Sequence, residues 1–197
     1  LAEPGRFSSW ITDHHTVGVP GATDMAHLPR LLSSVLADEL SGAAGDLGVT
    51  PDEILLAAFG RAISRTIGDG LLSVDLDTGN WSGRGALSCA GPGEMSAAEL
   101  LATVCAAVRV AAAPAPGTPT DIRLCYRSAD AHPVNPEAGT GTGSACLLAL
   151  HATHDDAGQV VLDWWYDARG FAPYTVEELA EQFPLALVEI ASEAVGG

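Results

Sequence analysis

The sequence contains no lysine, and positive charge is scarce throughout its 197 residues. Nine arginines stand against 25 acidic residues, which gives a formal net charge of −16. Such an acidic surface repels phosphate backbones and anionic lipids, so we exclude roles in nucleic-acid and membrane binding. The absence of lysine also excludes Schiff-base catalysis and phosphate binding by a P-loop lysine.

Long hydrophobic runs and closely spaced cysteines are also missing. No apolar segment approaches the roughly 20 residues of a bilayer-spanning helix. The four cysteines, Cys89, Cys105, Cys125 and Cys146, lie far apart without a Cys-x-x-Cys pair, so we predict no zinc site. The simplest interpretation is a reduced, cytoplasmic protein.

Composition and the positions of Pro and Gly residues divide the chain into two parts. Hydrophobic residues make up 47% of it and charged residues 17%, which is typical of a folded domain. Residues 1–24 show no period and contain several Pro and Gly residues, so we expect a linker or disordered segment before a domain at 25–197. Because the start has neither an initiator methionine nor the layout of a signal peptide, we expect it to be the cut edge of a longer polypeptide.

Four segments have the signals of helices. Apolar residues recur every three or four positions from Leu28 to Leu40, which predicts an amphipathic helix that ends at the glycines following it. Capping boxes at Thr50, Ser96 and Thr175 each precede an apolar-periodic run and predict three further helices. The helix after Thr50 is apolar on nearly every side, so we expect it to be covered on more than one face.

Strand-like segments lie between these helices, at 71–76, 121–126, 145–153 and 160–166, and the last two form a plausible hairpin. Residues 133–143 form a Pro/Gly/Thr-rich loop without a period. The order of elements predicts an α/β layered sandwich, with a mixed β-sheet and flanking helices.

Four segments also carry a family resemblance. They are 48–58 (GVTPDEILLAA), the strand-like segment 73–84 that ends in Gly-Arg, 120–126 (TDIRLCY) and 160–179. In this order they resemble the C-terminal half of the condensation and epimerisation domains of nonribosomal peptide synthetases, which have the chloramphenicol-acetyltransferase-like fold of the CoA-dependent acyltransferase superfamily. The resemblance spans about residues 25–195.

The resemblance implies one lobe of a two-lobed domain. In the family, carrier-bound substrates enter a tunnel between two similar halves, and the working histidine of a His-His-x-x-x-Asp-Gly motif belongs to the N-terminal half. We therefore expect a C-terminal subdomain that forms one tunnel wall for the condensation or epimerisation of aminoacyl and peptidyl thioesters in secondary metabolism, inactive alone. The implied partners are a peptidyl carrier protein with its phosphopantetheine arm and the N-terminal subdomain. We expect the chain itself to bind no cofactor or metal.

The resemblance implies that three residues line the tunnel: Asp77, Arg84 and Tyr126. A carboxylate at Asp77 could shuttle a proton if burial raised its pKa, although a structural role is the alternative for each residue. The segment 78–81 departs from the family pattern. In the family, a strand that follows this segment forms the floor of the tunnel. Here only residues 85–93 lie between Arg84 and the next helix, so we expect that strand to be shortened or absent.

Histidines offer the other candidates. His151 precedes Asp155 by four residues, in the His-x-x-x-Asp pattern of acetyltransferases of this fold, and is a candidate for a general base; an exposed hairpin is the alternative. His14 and His15 lack the Asp and Gly of the family motif and fit a linker. Two other functions stay open: a degenerate module that docks a carrier or tailoring protein, and a small stand-alone acyltransferase using His151. The sequence leaves open the substrates and the choice between condensation, epimerisation and inactivity.

Overall fold

A six-stranded mixed β-sheet organises the protein. A computed structural model describes residues 7–113, 118–127, 145–155 and 159–196, with only the backbone described at 194–196. The predicted loop at 133–143 and residues 156–158 of the predicted hairpin turn lie outside the described residues. The elements in chain order are β1 (Met25–Leu31), α1 (Ser34–Leu47), α2 (Pro51–Thr66), β2 (Gly70–Thr78), β3 (Ser82–Cys89), α3 (Ala97–Arg109), β4 (Thr120–Arg127), β5 (Cys146–His154), β6 (Val160–Asp167) and α4 (Pro173–Gly196).

The strands lie in the order β1-β6-β5-β4-β2-β3. The three central strands, β2, β4 and β5, are parallel to one another, whereas β1, β6 and β3 pair with their neighbours in antiparallel fashion. Helices α2, α3 and α4 of the described chain pack on the sheet, and α1 packs on α2 and α4. The predicted α/β layered sandwich with a mixed sheet is confirmed.

Helix α2 occupies the centre of the helical layer, as its all-round apolar sequence predicts. Every residue from Asp52 to Ile63 is buried, because the sheet covers one side of the helix and α4 covers another. Trp164 of β6 packs edge-to-face against Phe59 of α2 and Phe183 of α4, with ring centroids 5.6 Å apart in both pairs. This aromatic contact joins the sheet to both helices, so Trp164 belongs to the core.

The helix predicted from Leu28 to Leu40 is wrong in its first half. Residues Met25–Leu31 form β1, which pairs along its whole length with β6, and the helix begins only after the N-cap Ser33. The spacing of the leucines fits both structures over so short a run, whereas Pro29 disfavours a helix interior and is tolerated in an edge strand. The helix also continues past Gly42 and Gly45 and ends at Gly48, whose φ of 65° suits a residue without a side chain.

The capping boxes at Thr50 and Ser96 are confirmed as the starts of α2 and α3. The one at Thr175 is wrong, because α4 begins two residues earlier at Pro173. Proline suits the first turn of a helix, where its missing N–H has no partner to lose.

Arg84 lies inside β3, and five strand residues follow it where the family's floor strand was expected to be shortened or absent. Residues 85–89 belong to β3, which pairs with β2 over eight positions from Gly70↔Cys89 to Asp77↔Ser82. This strand consists mainly of small residues, whereas the family pattern has bulky ones, so the sequence comparison did not identify it. Whether it floors a tunnel stays a prediction.

Residues 7–20, which we name the strap, cross the end of the sheet where β2, β4 and β5 begin. The Ser8 amide and hydroxyl donate to the Asp121 carboxylate at the start of β4, and Trp10 lies so close to Gly70 that a Cβ there would come within 2.6 Å of the indole. Ile11 is only 1% exposed and belongs to the core. Residues 8–11 of the expected linker therefore contact the domain, and Ile11 is buried in it. The division at residue 25 stays a prediction.

Truncation of Ile11 tests how firmly the strap is held. We expect Ile11→Ala to lower the free energy of unfolding by about 3 kcal/mol, because it leaves a cavity in the core. The matched control is Val17→Ala, since the Val17 side chain is 83% exposed and its truncation should change stability by less than about 0.5 kcal/mol. Urea unfolding of the three proteins measures both values. Equal, small effects would contradict a packed strap.

Candidate functional site

The sheet face opposite the helices, which we name the open face, collects polar and aromatic side chains from every strand. The strand register aligns them in two rows that cross the sheet from β1 to β3. The first row is His27, Trp165, Ala149, Arg123, Asp75 and Arg84. The second row is Pro29, Asp163, His151, Cys125, Asp77 and Ser82.

The first row contains a charge network centred on Asp75. Arg84 donates two hydrogen bonds to this carboxylate, from Nε to Oδ1 at 2.6 Å and from an Nη to Oδ2 at 3.0 Å. Arg123 approaches it from β4 at 3.9 Å. Arg84 also donates to the backbone carbonyls of Thr118 and Pro119, at 2.9 and 3.2 Å. The hydrogen bond to Asp75 raises the pKa of Arg84 above its ordinary value. Because the fork-shaped guanidinium of Arg84 binds Asp75 and two carbonyls at once, it holds β3 against β2 and the segment before β4.

Asp77 lies two residues further along β2 and does not meet Arg84. Its carboxylate is 60% exposed and accepts a 2.8 Å hydrogen bond from Arg127 at the end of β4. Arg127 also donates to the Asp77 carbonyl at 2.7 Å. Asp77 and Arg84 therefore do not contact each other, and the Asp77 carboxylate lacks the burial that a proton shuttle requires. A catalytic role for Asp77 stays a prediction without support from its surroundings.

The turn at 78–81 explains the departure from the family pattern. It closes the β2–β3 hairpin, with the Thr78 amide donating to the Trp81 carbonyl at 2.9 Å. The Thr78 hydroxyl and the Asn80 amide group both donate to the buried carboxylate of Asp52 in the first turn of α2. The Trp81 indole N–H reaches the Thr50 hydroxyl at 3.4 Å. These contacts tie the hairpin to α2, so this segment has a structural role.

His151 lies in the second row between Cys125 and Asp163. Burial lowers the pKa of its imidazole, and the positive charge of Arg123 adds to this effect, so His151 is neutral at neutral pH. The Asp163 carboxylate is engaged at 2.8 Å by Nε2 of His27, whose ring stacks on Trp165 with centroids 4.3 Å apart.

The His-x-x-x-Asp pattern does not form a compact unit around His151. A strand rises about 3.3 Å per residue, so four residues separate the two backbones by about 13 Å. Asp155 follows the end of β5, and its carboxylate accepts a 2.8 Å hydrogen bond from the Gln159 amide. This arrangement is that of a hairpin end. A role for His151 as a general base stays a prediction.

Cys125 is next to His151 across the β4–β5 pair and is half-buried, whereas the other three cysteines are buried; all four are free. Burial raises the pKa of the Cys125 thiol to about 12, and the charge of Asp77 contributes in the same direction. The thiol is therefore protonated at neutral pH. This protonation removes the nucleophile that a Cys–His pair would need.

Tyr126 points to the other side of the sheet. It is buried on the helix-covered face, its ring contacts that of His154 edge-to-face at 6.4 Å, and burial raises the pKa of its hydroxyl. The structure thus brings Asp77, Arg84 and His151 to the open face and leaves Tyr126 out of it. A tunnel-lining role for Tyr126 stays a prediction that this position does not favour.

Sequence analysis missed several members of the two rows, above all Asp75, Arg123, Asp163 and Trp165. The signal was present in β4, where polar residues at 121, 123, 125 and 127 alternate with apolar ones. This alternation separates the two faces of one strand, but it does not show which residues of the neighbouring strands lie beside them. Within the described residues, no three His, Cys, Asp or Glu side chains are arranged to hold a metal ion, and none of the helices in those ranges is long and apolar enough to cross a membrane.

Removal of the Arg84 fork should destabilise the fold. We expect Arg84→Gln to cost about 2–4 kcal/mol, because it leaves the largely buried Asp75 carboxylate and two carbonyls without their donor. Arg127→Gln is the matched control and should cost at most about 1 kcal/mol, since its partner Asp77 is exposed. Chemical denaturation measures both. A loss at Arg84 no larger than that at Arg127 would show that the fork is not structural.

His151 should make stability depend on pH. Because its folded-state pKa lies below the ordinary value, the unfolded chain takes up a proton first as the pH falls below about 6.5. The folded state then loses up to about 1.4 kcal/mol per pH unit through this one group. We expect His151→Gln to lose less stability than the wild type between pH 7 and pH 5 in urea titrations. Identical pH dependence would contradict the depressed pKa.

Comparison with known proteins yields relatives that are consistent with this architecture. No family model matches the chain. A phenolphthiocerol/phthiocerol polyketide synthase polypeptide of Mycobacterium tuberculosis is 28% identical over an alignment of 244 positions, which covers 94% of this chain. The corresponding polypeptide of Mycobacterium bovis gives the same values. The alignment covers only 16% of either relative, so the chain corresponds to a small part of a much longer protein.

Among solved structures, the epimerization domain from the third module of tyrocidine synthetase B matches 99% of this chain with a TM-score of 0.69 at 12% identity. The cyclization-docking bidomain of EpoB from Sorangium cellulosum and the condensation domain from Monacolin K polyketide synthase match with TM-scores of 0.66 and 0.64, at 15% and 12% identity, over 98% and 94% of this chain. The chain spans 53%, 46% and 52% of these three structures. It therefore has the fold of one half of a condensation-type domain, and its elements fit the C-terminal half that the sequence resemblance indicated.

Proposed function

We propose that this chain is the C-terminal subdomain of a condensation-superfamily domain in an assembly line that works on carrier-bound thioesters. Its open face forms one wall of the tunnel in which acyl, aminoacyl or peptidyl thioesters are condensed or epimerised. The likeness to nonribosomal peptide synthetase domains and to a polyketide synthase supports an assembly line of either type. Neither of these similarities identifies the substrates.

The observation that carries the proposal is the one-sided sheet. Helices pack on one face, whereas the other face presents two rows of mostly polar and aromatic side chains from all six strands. The solved structures of this fold contain about as much chain again as this protein matches. A second lobe laid against the open face would turn these rows into the lining of an enclosed space.

The chemistry of the open face suits binding better than proton transfer. Asp75 is held by Arg84, Asp163 by His27, and Asp77 is exposed beside Arg127. We therefore assign the central base to the N-terminal subdomain, as the resemblance implies, and expect this chain alone not to turn over. The proposed partners are that subdomain and a carrier protein, whose phosphopantetheine arm brings the only prosthetic group required. The four free cysteines support a cytoplasmic location.

The observations that suggested the two other functions from the sequence are no longer in their favour. The docking module was based on a missing floor strand, whereas residues 85–89 after Arg84 do form part of a strand, β3. The stand-alone acyltransferase required a base at His151 with its own carboxylate, but Asp155 serves the hairpin end and Asp163 pairs with His27.

Turnover with loaded carriers tests the proposal. We expect no amide, ester or epimerised product when this chain is mixed with acyl- or aminoacyl-loaded carrier proteins. Product should appear once a segment with His-His-x-x-x-Asp-Gly, encoded upstream of this chain or separately, is added. Mass spectrometry of the carrier-bound species measures both. Product from this chain alone would refute the proposal.

A pair of variants identifies the face used. Trp165→Glu places a charge in the first row and should reduce the restored product at least tenfold. Tyr174→Glu is the matched control, because Tyr174 is an exposed aromatic residue on α4, and should leave the product unchanged. Equal effects of the two variants would show that the open face is not the tunnel wall.

A further inference from the structure

A pocket of about 640 Å³ lies between the strap, the end of α2 and the first turns of α4. Within the described part of the chain, none of its lining residues belongs to either row of the open face, so the assignments above do not involve it. A cavity of this volume is in the range of ligand-binding pockets. The chemistry of its wall indicates which kind of ligand fits.

The charges on this wall are all negative. Four carboxylates line the pocket, one from the strap and three from α4: Asp13, Glu177, Glu178 and Glu181. Among the described residues, none of the four takes part in an ion pair. Asp13 accepts from the Ala172 amide and Glu178 from the Gln182 side chain, but neither donor carries a charge. Arg65, next to the pocket residue Thr66 in sequence, is bound to Glu189 instead.

The stability of α4 does not explain these charges. No acidic residue lies in the first turn of the helix, where the helix dipole would favour one. Glu177 and Glu181 are four residues apart and share a face, where like charges repel each other and destabilise a helix. A concave wall of one sign also concentrates the electrostatic potential. A positively charged ligand would relieve the repulsion.

Two neutral groups on the same wall suit a flat cation with several N–H donors. Thr66 lines the pocket, and its hydroxyl oxygen is buried without a hydrogen-bond partner in the part of the chain that the structure describes. Buried hydroxyls are normally hydrogen-bonded, so this oxygen can accept from a donor on a ligand. Trp10 also lines the pocket, and an indole ring is a surface on which a guanidinium stacks.

The cation is more readily supplied by another polypeptide than by this one. The chain contains no lysine, and six of its nine arginines form ion pairs with carboxylates outside the pocket. Four carboxylates are also more than one small monovalent cation neutralises. A segment with several basic side chains balances the charge of this wall better.

We propose that this pocket docks an arginine-bearing segment of a partner polypeptide. One guanidinium stacks on Trp10 and donates to the Thr66 hydroxyl, and the carboxylates of the strap and of α4 balance the charge of the segment. Arginine suits the wall better than lysine, because its planar group combines stacking with fork-shaped hydrogen bonds to carboxylates. This surface lies apart from the open face, so the inference goes beyond the proposed function and does not rest on it.

Calorimetric titration with N-acetylated triarginine amide tests the site. We expect this peptide to bind the wild-type protein, and the same peptide with citrulline at each position, which keeps the shape without the charge, not to bind. The double variant Glu177→Gln/Glu181→Gln should weaken triarginine binding about fivefold or more. Glu39→Gln/Glu193→Gln is the matched control, because it removes two charges from exposed positions on α1 and α4 outside the pocket. It should bind like the wild type.

Two further measurements separate the site from general effects. Because Glu177 and Glu181 repel each other, their double variant should melt no lower than the wild type, so weaker binding cannot be ascribed to unfolding. Trilysine amide should bind about threefold or more weaker than triarginine, and equal binding would overturn the assignment of arginine.

The docking proposal is overturned if triarginine does not bind or if the citrulline peptide binds equally well. It is also overturned if the two double variants weaken binding alike, because the peptide would then respond only to the net charge of −16. Agmatine that binds as tightly as triarginine would show a site for a small cation and would contradict docking of a polypeptide.

Discussion

The burial of α2 between the sheet and α4 is the constraint on which the rest of the structure depends. Gly60 allows α2 to approach β3, because a Cβ there would lie 2.6 Å from the Ser88 carbonyl. Arg61 is completely buried in the same helix, donates to the carbonyls of Ala90 and Met95, and pairs with Glu189 of α4. A buried guanidinium is tolerated only with such partners, so this one residue fixes α2, α4 and the loop before α3 together.

Sequence reasoning worked where a local signal and the packing agreed. The Thr50 capping box and the apolar run after it predict α2 correctly, and the alternation in β4 predicts which side of the strand is buried. It failed at Leu28–Leu40, where leucine spacing alone could not distinguish an edge strand from a helix. It also failed at β3, because glycine and alanine carry little of the bulky β-propensity by which strands are usually recognised.

The candidate site was harder to predict, because it exists only through strand register. Asp75 and Arg84 are nine residues apart, and their pairing depends on a hairpin turn of fixed length; a shift of one residue would send either side chain to the other face. The strap was misjudged for a related reason. Ile11 has no apolar neighbours at strand spacing and only Phe7 at helical spacing, so the sequence pattern does not indicate that Ile11 is part of the core.

The turn that joins β2 to β3 has a consequence for how such a protein can change over evolution. Because Thr78 and Asn80 are bound to the first turn of α2 through Asp52, a longer or shorter loop at this point would disturb the central helix together with the loop. Substitutions are therefore tolerated better at the opposite end of the sheet, which the strap crosses. There the strap meets the sheet through a handful of contacts, and its rim, including Val17 and Val19, can accept new side chains without cost to the core.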